Sequence, residues 1–156
     1  MSTPVGHTLV AAALARRLGV RSRRGLLTAA TLANAPDLDI VLGMALYREP
    51  WRLHRAASHD AALVISGGAI VGALGLITGD EPRPRWRNAL AGAAFAGSHV
   101  ALDALPFVRL SRKPWMPVPL RRRVAGMSIA NWILDAGTCG ALAALILMAG
   151  RRTETL

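Results

Sequence analysis

The sequence predicts an all-α protein, a membrane-embedded antiparallel bundle of about five helices that forms one domain over residues 1–156. Composition is the first observation behind this prediction, because 53% of the residues are hydrophobic but only 4% are aromatic. Small aliphatic residues allow helices to approach closely, as they do in membrane bundles. The second observation is length, since segments 61–78 and 128–150 are long enough to span a bilayer. The third is that basic residues lie between the apolar segments rather than within them.

The distribution of charge favours a lipid partner over a nucleic-acid partner. The formal net charge is +10, but a duplex-binding protein would line its basic residues along one polar face. Here they are grouped in connecting segments, as in loops beside an anionic lipid surface. We therefore expect a membrane protein that contacts lipids and binds no nucleic acid. The basic groups are residues 16–24, 83–87, 109–123 and 151–152.

The first half of the chain predicts two helices and a third apolar segment. A helix over residues 4–18 begins with Thr3 as a possible cap and with Pro4, which suits a first helical turn. The second helix begins near Arg23, and Pro36 should end or kink it. An apolar stretch and then a polar loop follow, over residues 40–47 and 48–54.

The second half predicts three more helices. The third runs over residues 61–78, with Asp60 or Ser58 as its cap. The break at residues 79–85 is rich in proline and charge. The fourth helix covers residues 86–105, residues 109–123 form an irregular loop, and the fifth helix covers residues 128–150.

Three of the four histidines, His54, His59 and His99, lie near an aspartate or another histidine, and His7 follows Gly6 within the first apolar segment. Four imidazoles and three carboxylates are a typical ligand set for one or two divalent ions. Such groups are costly inside apolar helices, so they usually mark function. The candidate metal ligands are His7, Asp37, Asp39, His54, His59, His99 and Asp103.

Counting residues from the centre of each predicted hairpin turn places these groups at the same level along the bundle axis. The turn between the third and fourth helices is centred near residue 82, which places His59 level with residue 105, close to His99 and Asp103. The turn near residue 20 places His7 level with residue 34, one helical turn from Asp37. We therefore expect a single site near one end of the bundle.

The individual motifs leave some roles open. His99 and Asp103 are i and i+4, so they share one helix face and either bind an ion together or act as ligand and orienting carboxylate. Asp37 and Asp39 lie two residues apart beside Pro36, and one is expected to be a ligand while the other supports or bridges.

Two further charged residues have alternative readings. Arg55 lies between His54 and His59, where it would neutralise a carboxylate, hold an anionic substrate group or face lipid headgroups. Asp135 interrupts the fifth helix and either joins the site or pairs with an arginine.

The order of these motifs resembles a known family. Gly6-His7, Pro36 to Asp39, the box HRAASHD at 54–60 and the box SHVALDAL at 98–105 are similar to the motifs of the bacterial inner-membrane metal-dependent hydrolases. These are more distantly similar to zinc-dependent phospholipase C-like proteins. The resemblance covers about residues 1–120 and implies metal roles for all seven candidate ligands. The third box departs from the family pattern, in which glycine, threonine and serine stand at the positions of Ala56, Ser58 and Asp60.

The predicted function is hydrolysis of a phosphoester, with a lipid-borne substrate. One or two divalent ions, zinc or alternatively manganese, would lower the pKa of a bound water to about 7. Asp37 or Asp39 would act as general base, and Arg55 would stabilise charge on a phosphoryl oxygen. The alternative is a non-enzymatic membrane protein that binds or moves a metal ion, or that holds haem between two histidines.

Overall fold

The computed structural model describes residues 3–54, 57–75, 77, 83–104, 119, 123–124 and 127–151, and over these residues it confirms the all-α prediction. Two 3-10 turns, Ala35–Asp37 and Ala57–His59, precede α3 and α4, and the two-residue strands Arg123–Val124 and Met127–Ser128 pair antiparallel before α6. Because α2 and α3 join through the first 3-10 turn into one 25-residue rod, the described residues form five helical rods. The helices are α1 (Pro4–Arg17), α2 (Arg23–Asn34), α3 (Leu38–Tyr47), α4 (Ala61–Ala73), α5 (Arg85–Ala104) and α6 (Ile129–Arg151).

The first hairpin forms as its sequence predicts. Thr3 caps α1, because its hydroxyl accepts a hydrogen bond from the Gly6 amide, and Pro4 occupies the first turn. The chain reverses at Gly19, whose φ of +75° is accessible to glycine at little cost. Ser22 then caps α2 by accepting from the Gly25 amide at 3.0 Å.

Pro36 redirects the second helix without ending the rod. The helix α2 ends at Asn34, two residues before Pro36. This end is expected, because proline has no amide proton to donate and disfavours helical backbone angles at the residue before it. Pro36 lies at the start of the 3-10 turn, where a missing amide proton costs little. The apolar residues that follow form α3, which the sequence predicted only as an apolar stretch.

The prediction that segment 61–78 spans a bilayer as one helix is wrong. The helix α4 ends at Ala73, and Gly75 adopts a left-handed φ of +75°, a common helix end. Among the described residues, the helices long and apolar enough to cross a membrane are Arg23–Tyr47 and Ile129–Ala149. The second of these confirms the prediction for the fifth helix, whereas the first combines α2, the 3-10 turn and α3.

The interior of the bundle is made of small side chains, and the larger aliphatic side chains lie outside. Exposed apolar residues include Leu42 and Leu46 on α3, Leu63 on α4 and Leu145 on α6. This arrangement suits a bundle whose outer surface contacts lipid and whose helices pack through small residues. The main buried cluster consists of Ala11, Ala15, Val20, Ala29, Ala33, Ile77, Ala91 and Phe95.

The antiparallel pair of α4 and α5 is the closest helix contact that we describe. Gly68 lies against Gly92, and Gly72 lies against Asn88, so closely that a Cβ atom on either α4 glycine would overlap a backbone carbonyl of α5. Both pairs have residue numbers that add to 160, so the register places His59 level with residue 101, between His99 and Asp103. This confirms the height predicted from the hairpin, within four residues.

Three predicted features lie outside the described residues, namely Arg55, the turn at 78–82 and the loop at 105–118.

A candidate metal centre

The ends of four helical segments meet at one end of the α1, α2, α4 and α5 bundle. His7 lies in the second turn of α1, Asp37 in the 3-10 turn after α2, and His59 in the 3-10 turn before α4. His99 and Asp103 come from the last two turns of α5. The Asn34 amide of α2 donates to the Thr8 hydroxyl of α1 at 3.1 Å, which confirms the predicted level of the first hairpin.

Five of these side chains form what we call the inner cluster, namely His7, Asp37, His59, His99 and Asp103. The Nε2 atoms of His59 and His99 are 3.2 Å apart. Asp37 Oδ1 lies 3.6 Å from the first and 3.7 Å from the second. Asp103 Oδ2 lies 3.8 Å and 3.9 Å from the same two atoms. The Asp103 Oδ1 atom approaches His7 Nε2 at 3.5 Å, and the rings of His7 and His99 stack with centroids 4.0 Å apart.

His99 is fixed in the orientation that a metal ligand needs. Its Nδ1 lies 2.8 Å from the carbonyl oxygen of Ala33, and only a protonated Nδ1 can donate there. In the neutral ring, Nε2 therefore carries its lone pair toward the inner cluster. His99 is fully buried in α5, outside the two candidate spans. Burial lowers the pKa of His99, and the neighbouring His7 lowers it further, which favours the neutral ring.

Asp39 lies next to the inner cluster, where it contacts His54, Ser58 and His59. It accepts a hydrogen bond from the Ser58 hydroxyl, and its Oδ1 lies 3.0 Å from His54 Nδ1. Its Oδ2 lies 3.4 Å from His59 Nδ1. A carboxylate on Nδ1 leaves Nε2 of both imidazoles available as a ligand atom. We call Asp39, His54 and Ser58 the outer layer.

Several polar atoms that face this region are buried and, among the described residues, have no hydrogen-bond partner. They are both ring nitrogens of His7, Asp37 Oδ1 and His54 Nε2. Leaving one such group unsatisfied costs about 1–3 kcal/mol, so four within one site need a common explanation. A bound cation would satisfy Asp37 Oδ1, His54 Nε2 and one nitrogen of His7, because each of these can offer a lone pair, whereas the other nitrogen of a neutral His7 ring carries a proton.

The ligand atoms group into three overlapping triads. Within each triad, the atoms lie within 4.8 Å of one another. Asp37, His59 and His99 each belong to two of them, so the triads describe one shared centre. They are His7, Asp37 and His99; Asp37, His54 and His59; and His59, His99 and Asp103.

The structure thus brings together all seven residues predicted as ligands, in two layers. It places Asp37 in the inner cluster and Asp39 in the outer layer. Of the two predicted caps of α4, Asp60 is the one that forms, because its Oδ1 accepts from the Leu63 amide at 3.0 Å, whereas the Ser58 hydroxyl donates to Asp39. The hydroxyl next to His59 was the available sign that Ser58 contributes to the site.

Asp135 takes an arrangement that the sequence did not predict. Its carboxylate, buried in α6, accepts hydrogen bonds from both the amide and the hydroxyl of Thr3, at the start of α1. It therefore supports the helix that carries His7 and contributes no atom to the three triads.

Comparison with known proteins gives one clear result. No curated protein and no solved structure matches the chain. A family model described as the YdjM inner membrane protein matches residues 1–155, almost the whole chain. The match confirms that the protein belongs in the inner membrane, and it says nothing about hydrolysis, which stays a prediction. The chain is a member of the YdjM inner membrane protein family.

Proposed function

We propose that this protein is a membrane-bound, metal-dependent hydrolase that cleaves a phosphoester bond in a lipid-like substrate. The observation that carries the proposal is the inner cluster, where three imidazoles and two carboxylates from four chain segments converge on one centre. The resemblance of the four motifs to metal-dependent hydrolases supports the same reaction class.

The donor set fits a divalent ion of the zinc or manganese type. Imidazole and carboxylate ligands suit both ions. None of the three triads found among the described residues contains a thiolate, so they do not form a site for a soft metal. Zinc takes three or four such ligands and keeps a position open for water in catalytic sites. Because each pair of triads shares one residue, their six groups would serve one ion or two ions held close together.

The residues divide into holding, orienting and proton-accepting roles. His7, His59, His99 and Asp103 would hold the ion, and Asp39 would orient His54 and His59. The ion would supply an activated water at neutral pH. Asp37 would accept a proton from that water, because its Oδ1 lacks a hydrogen-bond partner among the described residues. Arg55, beside this layer in sequence, remains the proposed group for a phosphoryl oxygen.

A second candidate, metal binding or transport without hydrolysis, has one observation in its favour. Asp37 and Asp39 lie within Arg23–Tyr47, one of the two helical rods long and apolar enough to cross the membrane. Ionisable residues at such positions are typical of ion pathways. The stacked rings of His7 and His99, with centroids 4.0 Å apart, leave no space for a porphyrin between these two histidines.

The test of the proposal uses the full chain purified in detergent. We expect at least one tightly held divalent ion per chain and hydrolysis of a generic phosphodiester or a phospholipid. Activity should disappear with a chelator and return with zinc or manganese. Asp37→Asn should abolish turnover. Asp60→Asn is the matched control, because it removes a nearby charge and keeps a good helix cap. Full metal occupancy without hydrolysis across a panel of phosphoesters would instead support the binding or transport function.

Removing the orienting carboxylate should weaken metal binding without destroying the site. In Asp39→Asn, the side chain keeps its shape but no longer holds the Nδ1 protons of His54 and His59 with a negative charge. We expect metal affinity to fall by about 10- to 100-fold, as measured by competition with a chromophoric chelator. An unchanged affinity would show that Asp39 does not orient the ligands.

A further inference from the structure

The carboxylate of Asp135 is connected to His7 through a short chain of hydrogen bonds. Asp135 is almost fully buried in α6, and Thr3 is fully buried opposite it. The Thr3 amide donates to Asp135 Oδ2 at 2.8 Å, and the Thr3 hydroxyl donates to the same oxygen. One oxygen atom of α6 therefore holds both the backbone and the side chain of the residue that begins α1.

Through two further hydrogen bonds, Thr3 also holds the α1 backbone as far as His7. Its hydroxyl oxygen accepts from the Gly6 amide at 3.2 Å, and its carbonyl oxygen accepts from the His7 amide at 3.0 Å. Thr3 thus forms the first turn of the helix on which His7 stands. A carboxylate at this position also interacts favourably with the positive end of the α1 dipole.

His7 needs such a constraint more than the other histidines do. The rings of His54 and His99 are each held through Nδ1 by a carboxylate or a carbonyl oxygen, and His59 has Asp39 and Ser58 beside its Nδ1. Neither nitrogen of His7 has a hydrogen-bond partner among the described residues. Its ring is placed by the α1 backbone, by stacking on His99 and by the Asp103 Oδ1 atom 3.5 Å from its Nε2, while no described carboxylate or carbonyl oxygen holds its Nδ1.

We propose that Asp135, acting through Thr3, is a positioning residue that places His7 at the metal centre. This inference rests on the proposed metal site but not on the reaction that the site performs. It also gives a role to an ionisable residue in a helix apolar enough to cross a membrane, where a carboxylate is costly. The helix α6 would then contribute to the site without supplying a ligand.

The test compares substitutions at the two helix caps of the first hairpin. Thr3→Val keeps the shape of the side chain but removes the hydroxyl that donates to Asp135 and caps α1. Ser22→Ala removes the equivalent cap of α2 at the opposite end of the hairpin, and losing either cap costs stability of about 1 kcal/mol. Thr3→Ser keeps the hydroxyl and should restore wild-type behaviour.

The measured quantities are zinc affinity and the visible absorption spectrum of the cobalt-substituted protein, which reports ligand geometry. We expect Thr3→Val to bind zinc at least 10-fold more weakly and to change the cobalt spectrum, whereas Ser22→Ala and Thr3→Ser match wild type. In a His7→Ala background, Thr3→Val should have no further effect on affinity, because the pathway ends at His7. If Thr3→Val does not fold, Asp135→Leu gives the same comparison, because it removes both acceptor oxygens and leaves the Thr3 hydroxyl able to cap α1.

Wild-type affinity and a wild-type cobalt spectrum in Thr3→Val would overturn the inference, as would an undiminished effect in the His7→Ala background. These outcomes differ from failure of the proposed function. A wild-type protein that binds zinc but hydrolyses nothing would refute the hydrolase and leave the role of Asp135 standing. A wild-type protein that binds no divalent ion would refute both, and the wild-type measurement alone would show it.

Discussion

Replacing His99 with alanine is expected to remove most of the bound divalent ion. His99 is fully buried, its Nδ1 is occupied by the Ala33 carbonyl, and its Nε2 lies within 4 Å of His59, Asp37 and Asp103. Loss of an orienting partner already costs about 10- to 100-fold in affinity, so loss of this ligand should cost at least as much. Metal analysis of the purified variant by mass spectrometry measures the effect.

Ser98→Ala is the matched control for this substitution. Ser98 is buried one residue away on the same helix, and its hydroxyl donates to the Phe95 carbonyl at 2.7 Å. This variant should keep its metal, and both variants should still insert in the membrane because α5 stays apolar. Full occupancy in His99→Ala would contradict the metal centre, since no other imidazole is oriented by a carbonyl oxygen in the described residues.

Adding one methyl group at Gly68 should destabilise the bundle strongly. The new Cβ would overlap the carbonyl oxygen of Gly92 and come within 2.7 Å of the Ala96 Cβ, so α4 and α5 would have to separate. Overpacking of this kind costs about 1–3 kcal/mol, which exceeds the gain of up to about 1 kcal/mol from replacing glycine by alanine in a helix. We expect a lower thermal unfolding midpoint in detergent.

Gly67→Ala provides the control on the adjacent residue. Nothing lies within 4 Å of a Cβ at Gly67, so this variant has the favourable change in helix propensity without the overlap. Its unfolding midpoint should equal or exceed that of wild type. Because α4 and α5 also carry His59 and His99, Gly68→Ala should weaken metal binding in addition. Equal stability of the two variants would show that the close contact does not form.

The height of the site could be predicted from the sequence because it depends on hairpin register alone. Two short turns fix which residues of neighbouring antiparallel helices lie level, and the His7 and His59 positions follow by counting. The roles of Asp37 and Asp39 could not be assigned in this way. In a regular helix, residues two apart point in nearly opposite directions, and the 3-10 turn at Pro36 decides which carboxylate faces the inner cluster.

Two other features, the end of α4 and the bond between Thr3 and Asp135, could not be predicted from the sequence. They depend on local backbone conformation and on a contact between distant residues. The uncharged segment 61–78 suggested a spanning helix, but the left-handed φ of Gly75 follows the end of α4 at Ala73. The bond between Thr3 and Asp135 joins residues 132 positions apart. The helices α1 and α6 are not neighbours in a hairpin, so no count along the chain predicts their register.

The register of α4 against α5 also determines where the chain can change in length during evolution. One residue inserted between Asp60 and Gly72 would turn everything before it by about 100° relative to the glycine contacts and shift it by about 1.5 Å, so His59 would leave the inner cluster. One residue inserted between Gly75 and Arg83 would leave both helices and their contacts as they are. We therefore expect functional homologues to differ in length at the α4–α5 connection and to keep a constant spacing from His59 to Gly68 and Gly72.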